Sequence, residues 1–199
     1  MYVNIDMGKR KTTEKRKKEI FEATLEIIYA EGKENLTIRN IAERVGISEA
    51  AIYRHFENKK DILKQLVEEV LHQEQLEEKR FEELPELLES TIKANFSKLE
   101  KNPHLAAFLF HEDLFAEHPE LREKFQEYRK EKMQNIIDMV REAQEKREVS
   151  EDVDPKTFSE IFIGSIYMTI LEWRKKEFSY SLKDKAENLA KELSKILEK

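Results

Sequence analysis

The chain contains 199 residues, of which 39% are hydrophobic and 39% are charged, a balance typical of a folded globular protein. The absence of cysteine excludes disulfides, a cysteine nucleophile and a zinc site built on thiolates. Only four glycines and four prolines are present, too few turn-forming residues for a β-rich fold, so the composition predicts an all-α protein.

The net charge of −6 is unevenly distributed along the chain. Residues 1–60 contain 13 Lys and Arg against 10 Asp and Glu, whereas residues 61–199 contain 23 against 32. A basic start on an acidic body is typical of a protein that binds nucleic acid at one end, although a solvated basic arm would give the same count. No segment approaches the roughly 20 apolar residues of a membrane span, and no signal peptide is evident, so we expect a cytoplasmic protein without membrane contact.

Helix start and stop signals occur in order from the N-terminus. Apolar residues at helical spacing predict a first helix over about residues 13–31, which ends at a glycine. Thr37 caps a second helix that ends at Val45, and Ser48 caps a third helix that ends at Phe56.

Longer helices are predicted for the rest of the chain. Asn58 caps a fourth helix that continues to about Phe81. Each proline lies where proline is tolerated, in the first turn of a new helix, and the four together predict about five further helices: Pro85, Pro103, Pro119 and Pro155. We therefore predict about nine helices in two domains, residues 1–60 and residues 61–199.

The second and third helices have the spacing of a helix-turn-helix. A small residue, Ala42, lies where the two helices would cross, and Gly46 follows four positions later, where the corner needs a positive φ. Four apolar residues fall at inward positions: Ile41, Val45, Ile47 and Ile52. The exposed face is then formed by Ser48, Glu49, Ala50, Ala51, Tyr53 and Arg54. An ordinary buried corner would need only the apolar positions, so the pattern favours a DNA-binding motif.

Four short motifs occur in a fixed order: LTIRNIA at residues 36–42, GIS at 46–48, IYRHF at 52–56 and NKKDIL at 58–63. Through them, residues from about 12 to 63 resemble the DNA-binding domain of the tetracycline-repressor (TetR) family. The resemblance implies an all-helical homodimer that represses transcription. It also implies that the protein leaves its operator when a small molecule occupies a helical C-terminal domain.

The resemblance further implies roles for individual residues. Tyr53, His55 and Lys59 match positions that contact the DNA backbone, and Arg39 matches a position that reaches a base edge, where a guanidinium suits guanine. His55 could instead be a packing histidine. The residues expected to contact DNA are Thr37, Arg39, Ser48, Glu49, Ala50, Ala51, Tyr53, Arg54, His55 and Lys59. Thr37 and Ser48 belong to this set because they cap helices whose free amides can bind phosphate.

The start of the third helix departs from the family pattern, which often has a basic or small polar residue there. Glu49 could accept a hydrogen bond from a cytosine amino group, but we prefer the interpretation that it interacts favourably with the helix dipole. Ala50 and Ala51 offer only methyl contact, for example to thymine. Direct base recognition is therefore limited, and operator shape is expected to contribute. Phe56 is expected in the core.

The C-terminal domain has more aromatic and methionine side chains on apolar helix faces than a tight helix bundle needs. Such side chains suit a long-chain or aromatic effector, although each could equally belong to the core. The predicted pocket residues are Phe96, Phe108, Phe115, Phe125, Tyr128, Met133, Phe162 and Tyr167. His104, His111 and His118 are seven residues apart, whereas histidine ligands on a helix are usually three or four apart, so we predict no metal site.

The last two helices are the best candidates for self-association. Their apolar faces could form a four-helix interface with two-fold symmetry, with Gly164 allowing close approach, and packing inside one chain is the alternative. The predicted interface residues are Phe158, Ile161, Ser165, Thr169, Leu182, Leu189, Leu193 and Ile196.

These features together predict a homodimeric DNA-binding regulator, a repressor released from a near-palindromic operator by a small hydrophobic or amphipathic effector. The sequence shows neither a nucleophile paired with a base nor a pair of carboxylates, so nothing in it indicates an enzyme. No cofactor is predicted. Two alternatives stay open: a DNA-binding protein that needs no effector, and a helical protein-interaction module.

Overall fold

The computed structural model describes residues 4–75, 84–109 and 112–197, and these residues form helices and no strand. The nine α-helices within these ranges confirm the predicted all-α fold. They are α1 (Asn4–Ala30), α2 (Ile38–Val45), α3 (Glu49–Ile52), α4 (Lys59–Gln75), α5 (Leu84–Lys101), α6 (Pro103–Leu109), α7 (Pro119–Glu145), α8 (Pro155–Lys175) and α9 (Leu182–Leu197). Two short 3₁₀ helices lie at Lys33–Asn35 and Glu112–Phe115.

The chain packs as two compact units. The first combines Met1–Leu76 with Ala107–Leu121, and the second combines Glu77–Ala106 with Arg122–Lys199. Helix α7 begins in the first unit and continues into the second. The predicted domain boundary after residue 60 was drawn from charge and motifs, whereas the two compact units are defined by packing. The boundary after residue 60 therefore stays a prediction.

Helix α1 begins earlier than predicted, at Asn4 instead of about residue 13. Its buried apolar side chains, such as Ile20 and Ile27, lie in the C-terminal half, which is the part that the apolar pattern could detect. Residues 4–19 contain no proline, and Arg16 pairs with Glu19 at 2.7 Å near the end of this stretch. A helix start without an apolar stripe gives little signal in the sequence.

The predicted starts of the later helices are confirmed. The Asn58 side-chain oxygen accepts a hydrogen bond from the Asp61 amide at 3.0 Å, which caps α4. Proline is the first residue of three helices and the second of α5, at Pro103, Pro119, Pro155 and Pro85 respectively. The predicted end of α4 at about Phe81 lies outside the described residues.

The second unit is built on the pairing of α5 with α9. Apolar side chains at three- and four-residue spacing fill the core from both helices: Leu88, Ile92, Phe96 and Leu99 from α5, and Leu182, Ala186, Ala190 and Leu193 from α9. Burial of each large side chain stabilises the fold by about 1.5–3 kcal/mol. The turn from α8 to α9 is fixed by the Trp173 indole, which donates to the Tyr180 carbonyl at 2.8 Å.

None of the described helices combines the length and the apolar character needed to cross a membrane.

Candidate nucleic-acid interface

The corner between α2 and α3 has the geometry of a helix-turn-helix. Gly46 has φ 75° and ψ 37°, in the left-handed region, and its amide donates to the Ala42 and Glu43 carbonyls. A Cβ added at Gly46 would have no heavy atom within 4 Å, so the glycine is required by the backbone conformation and not by space. Ala42 is only 3% exposed, which confirms its predicted place at the helix crossing.

The apolar positions of the motif hold the two helices together. Ile41 and Ile52 are fully buried, whereas Val45 and Ile47 are half-buried. Phe56 is buried as predicted, and its ring lies 5.6 Å from the ring of Phe21 in α1. The corner is therefore anchored to the core of the first unit and not merely tethered by its loop.

Both helices of the corner have side-chain caps where the sequence predicted them. The Thr37 hydroxyl accepts from the Asn40 amide at 3.1 Å, and the Ser48 hydroxyl accepts from the Ala51 amide at 3.3 Å. Each cap satisfies one of the amides in the first turn that have no partner within the helix. The caps fix where α2 and α3 begin.

Helix α3 is shorter than predicted, because it ends at Ile52 and not at Phe56. The next residues form a tight turn in which the His55 and Phe56 amides both donate to the Ile52 carbonyl, at 2.8 and 3.1 Å. This turn directs Phe56 into the core. Tyr53 and Arg54 are exposed on the turn, and Tyr53 is 53% accessible.

The prediction that Ala51 lies on the exposed face of the corner was wrong. Its side chain is only 9% exposed because it lies on the inward side of α3, beside the buried Ile52, so its methyl group is not available to thymine. Glu49 and Ala50 are exposed, as the motif predicted. The exposed face of α3 is therefore smaller than the sequence predicted.

Arg39 lies on the outer face of α2 and forms an ion pair. Its Nε donates to a Glu43 carboxylate oxygen at 2.9 Å, one helical turn later, and both side chains are largely exposed. The pKa of Arg39 is raised by this hydrogen bond first, and then by the negative charges of Glu43 and Glu49. The guanidinium stays fully charged, as a contact with guanine or phosphate requires.

His55 and Lys59 lie in positive surroundings. The pKa of His55 is lowered, mainly by partial burial and then by the positive charges of Lys17, Arg54 and Arg16. Lys59 and Lys60 occupy the first turn of α4, where a positive charge is unfavourable beside the helix dipole unless an anion is present.

The two lysines differ in their partners. Lys60 is paired with Glu120 at 2.8 Å, whereas Lys59 has no ion pair among the described residues. The Lys59 ammonium is therefore available to an external anion such as phosphate.

The predicted pocket residues differ in burial and are divided between the two units. Phe96, Phe108, Phe115, Phe125 and Phe162 are buried, Tyr128 and Met133 are half-buried, and Tyr167 is exposed. Phe108 and Phe115 belong to the first unit, and the other six belong to the second. Two surface cavities of about 380 and 240 Å³ are lined by other, mostly polar residues. The pocket assignment stays a prediction.

The predicted dimer residues fall into two groups. Phe158, Leu182 and Leu193 need correction, because each is buried inside its own chain and is at most 4% exposed. Ile161 and Ile196 are exposed, at 44% and 42%, while Ser165, Thr169 and Leu189 are half-buried.

The sequence prediction missed two exposed apolar residues on α8. Met168 and Leu171 are 60% and 37% exposed. Met168 follows Ile161 by two helical turns, so helical spacing alone could have identified it.

Metal ligation has little support in the described part of the chain. No group of three or more His, Asp or Glu side chains there could hold a metal ion. His104 and His118 are half-buried, and His111 lies outside the described residues.

Comparison with known proteins identifies two families along the chain. Residues 20–66 match the family described as bacterial regulatory proteins, tetR family, and residues 56–195 match the C-terminal region of YsiA-like proteins. The fatty acid metabolism regulator protein of Bacillus subtilis is 30% identical over 169 residues, which cover 82% of this chain and 86% of that protein. The nucleoid occlusion factor SlmA of Marinobacter nauticus is 26% identical over 153 residues, which cover 71% of this chain and 73% of that protein.

A solved structure has the same fold over nearly the whole chain. The transcriptional regulator FadR from Bacillus subtilis, in complex with stearoyl-CoA, aligns with a TM-score of 0.69 and 24% identity over 90% of this chain and 98% of that one. The matched family consists of regulatory proteins, which confirms the prediction that the chain is not an enzyme. Together with the helix-turn-helix geometry, these matches show that the chain belongs to the tetR family of bacterial regulatory proteins and is a transcriptional regulator.

Proposed function

We propose that this regulator is a homodimeric repressor that binds a near-palindromic operator and is released by a long-chain acyl thioester of coenzyme A. The observation that carries the DNA-binding part is the capped corner at Gly46, on which Arg39 and Tyr53 are exposed, followed by Lys59 at the start of α4. The effector part rests on the match to the YsiA-like C-terminal region and on the relatives.

The DNA contacts divide into backbone and base contacts. Tyr53, His55 and Lys59 can donate hydrogen bonds to phosphate oxygens, and the positive charges around His55 favour an anion there. Arg39 is the residue proposed to read a base edge. One corner of this kind offers few base contacts, so useful specificity requires two copies on two half-sites.

The second copy is supplied by self-association through α8 and α9. Ile161, Met168 and Leu171 form an exposed apolar row along α8, and Ile196 is an exposed apolar residue of α9. Exposed apolar rows of this kind mark interaction surfaces in soluble proteins. Gly164 lies between Ile161 and Met168, and a Cβ there would meet no heavy atom within 4 Å of its own chain, which leaves room for a partner helix.

The effector is proposed from the relatives and fits the composition of the C-terminal domain. One relative is named a fatty acid metabolism regulator, and one structure of similar fold holds stearoyl-CoA. A long acyl chain needs an apolar lining, which the aromatic side chains of α5, α7 and α8 can provide. The effector releases DNA only if it binds the DNA-incompetent arrangement more tightly than the competent one.

The experiment begins with selection of bound sequences from random duplex DNA, using the full chain. Stearoyl-CoA, free stearate and coenzyme A are then titrated separately against the complex of protein and selected operator. We expect stearoyl-CoA to raise the melting temperature of the free protein and to release the DNA. Stabilisation of the protein without release of DNA would contradict the switch and leave a constitutive DNA-binding protein.

Lys59→Ala tests the phosphate contact within the same assay. It should weaken binding to all sequences alike and reduce the slope of affinity against salt by about one unit, because one fewer counterion is released. Lys64→Ala is the matched control, since Lys64 is an exposed lysine further along α4. An unchanged slope for Lys59→Ala would remove this residue from the proposed interface.

The second candidate function is DNA binding without an effector. It is favoured because the two surface cavities described above are lined by mostly polar residues and not by the predicted pocket residues. One relative, at 26% identity, is also named a nucleoid occlusion factor and not a metabolism regulator. The same titration separates the two functions, because only the effector-responsive regulator loses its operator when an acyl thioester is added.

A further inference from the structure

We propose that Glu43 is a positioning residue for DNA recognition, which holds Arg39 so that the end of its guanidinium faces a base edge and not a phosphate. This inference rests on the proposed function and concerns how the corner achieves specificity. It is carried by the hydrogen bond from Arg39 Nε to Glu43 Oε1 at 2.9 Å on the outer face of α2.

The geometry of the pair decides which donors of Arg39 are available. The Glu43 carboxylate occupies Nε, on the side of the guanidinium, and the two terminal nitrogens have no partner among the described residues. Those terminal nitrogens present two parallel N–H groups, the arrangement that matches O6 and N7 of guanine. The Nε edge of the guanidinium, which could otherwise pair with a phosphate, is blocked by the negative charge of Glu43.

The position of the pair in the fold supports a role at the interface. Both residues lie on α2, which begins at the Thr37 cap and ends at Gly46, so their spacing of one turn is set by a helix fixed at both ends. Their side chains are 76% and 64% exposed, so neither is needed to fill the core. A structural role for the pair would be small, because an exposed ion pair contributes little to stability.

The charge of Glu43 has a second effect, on affinity for DNA in general. A carboxylate near phosphates is repelled by them, so it weakens binding to every sequence. The same residue therefore lowers general affinity while it raises the preference for one base pair. This combination separates the positioning role from a simple electrostatic one.

Two variants of Glu43 distinguish these effects. Glu43→Gln keeps an oxygen that can accept from Arg39 Nε but removes the charge, whereas Glu43→Ala removes both. A well-placed bidentate contact distinguishes bases by about 5- to 150-fold. We expect Glu43→Gln to retain most of that preference at the Arg39 position and Glu43→Ala to lose most of it. Both should bind non-operator DNA several-fold more tightly.

Three controls separate the positioning of Arg39 from a general effect of charge and from a loss of structure. Glu57→Gln removes another exposed carboxylate of the first unit and should raise general affinity without changing the preference for any base pair. In an Arg39→Ala background, Glu43→Ala should leave the selected sequence unchanged, because the residue that it positions is absent. Far-UV circular dichroism of each variant shows that the helices are retained.

The outcomes are distinguishable from failure of the proposed function. If the wild-type protein selects an operator but Glu43→Ala keeps the full base preference, Glu43 does not position Arg39. Equal loss of preference in Glu43→Gln and Glu43→Ala would also overturn the proposal, since the hydrogen bond would then be irrelevant. If the wild-type protein selects no sequence at all, the proposed function fails and this inference fails with it.

Discussion

Replacement of Gly46 by alanine isolates the energetic cost of the helix-turn-helix corner. The residue has φ 75°, and a Cβ built there meets no heavy atom within 4 Å, so no steric cost adds to the backbone cost. An L-residue other than glycine in the left-handed region costs about 1–2 kcal/mol, and alanine recovers a part of this by restricting the unfolded chain. We expect Gly46→Ala to lower the free energy of unfolding by about 1 kcal/mol, which is about 2–4 °C in melting temperature for a chain of this size.

Thermal and urea unfolding of the full chain, followed by far-UV circular dichroism, measure this change. Gly46→Asn is the matched control, because asparagine tolerates the left-handed conformation and should lose about half as much. A loss above about 4 kcal/mol would mean that the added methyl group meets a neighbour, contrary to the geometry. Equal stability of the wild-type and alanine proteins would mean that the corner does not need a positive φ.

Three further predictions follow from the backbone and from one titrating group. Gly164→Ala should stabilise α8 by about 0.5–1 kcal/mol in the subunit while weakening the proposed dimer, as measured by sedimentation equilibrium, because the methyl group would enter the space proposed for the partner helix. Glu177→Gly should stabilise the chain by about 1 kcal/mol in urea unfolding, since Glu177 has φ 52°, whereas Glu177→Ala should not. The folded-state pKa of His55 lies below its usual 6.5, so the unfolded chain binds a proton at this histidine more readily than the folded chain does. The contribution of His55 to the free energy of unfolding is therefore fully present above pH 6.5 and decreases as the pH falls below it. His55→Gln should remove that part of the acid dependence, and an unchanged pH profile of the melting temperature would contradict it.

Features determined by a few neighbouring residues were predictable from the sequence. The caps at Thr37, Ser48 and Asn58 depend on a side chain and an amide three residues later, and all three form as predicted. The left-handed conformation of Gly46 was likewise predictable from its position at the corner between two helices. Local chemistry was therefore sufficient to locate the helix-turn-helix.

Features determined by tertiary packing were not predictable. Helix α3 ends at Ile52, and Phe56 packs on Phe21 from the turn that follows. The sequence predicted that Phe56 is buried, but not that the helix ends before it. The burial of Ala51 was missed as well, because a helix of one turn does not show which of its sides faces the core. The spacing of apolar residues within one helix does not show how α3 is oriented against α1.

The apolar faces of α8 and α9 illustrate a different limit. An apolar stripe shows that a helix face is covered, but it does not show whether the cover comes from the same chain or from a partner. Phe158 and Leu182 are covered by their own chain, whereas Ile161 and Met168 are not. Exposure in the subunit, and not the apolar period of the helix, separates these two groups of residues.

The first compact unit is assembled from two stretches that are not adjacent in sequence, because Ala107–Leu121 packs with Met1–Leu76. A recombination event that transferred only the first stretch to a relative would leave behind the buried Phe115 and the Glu120 partner of Lys60. The DNA-binding part is therefore poorly suited to exchange by a single crossover. Point substitutions on the outer face of α2 meet no such constraint, because exposed side chains there can vary without disturbing the core.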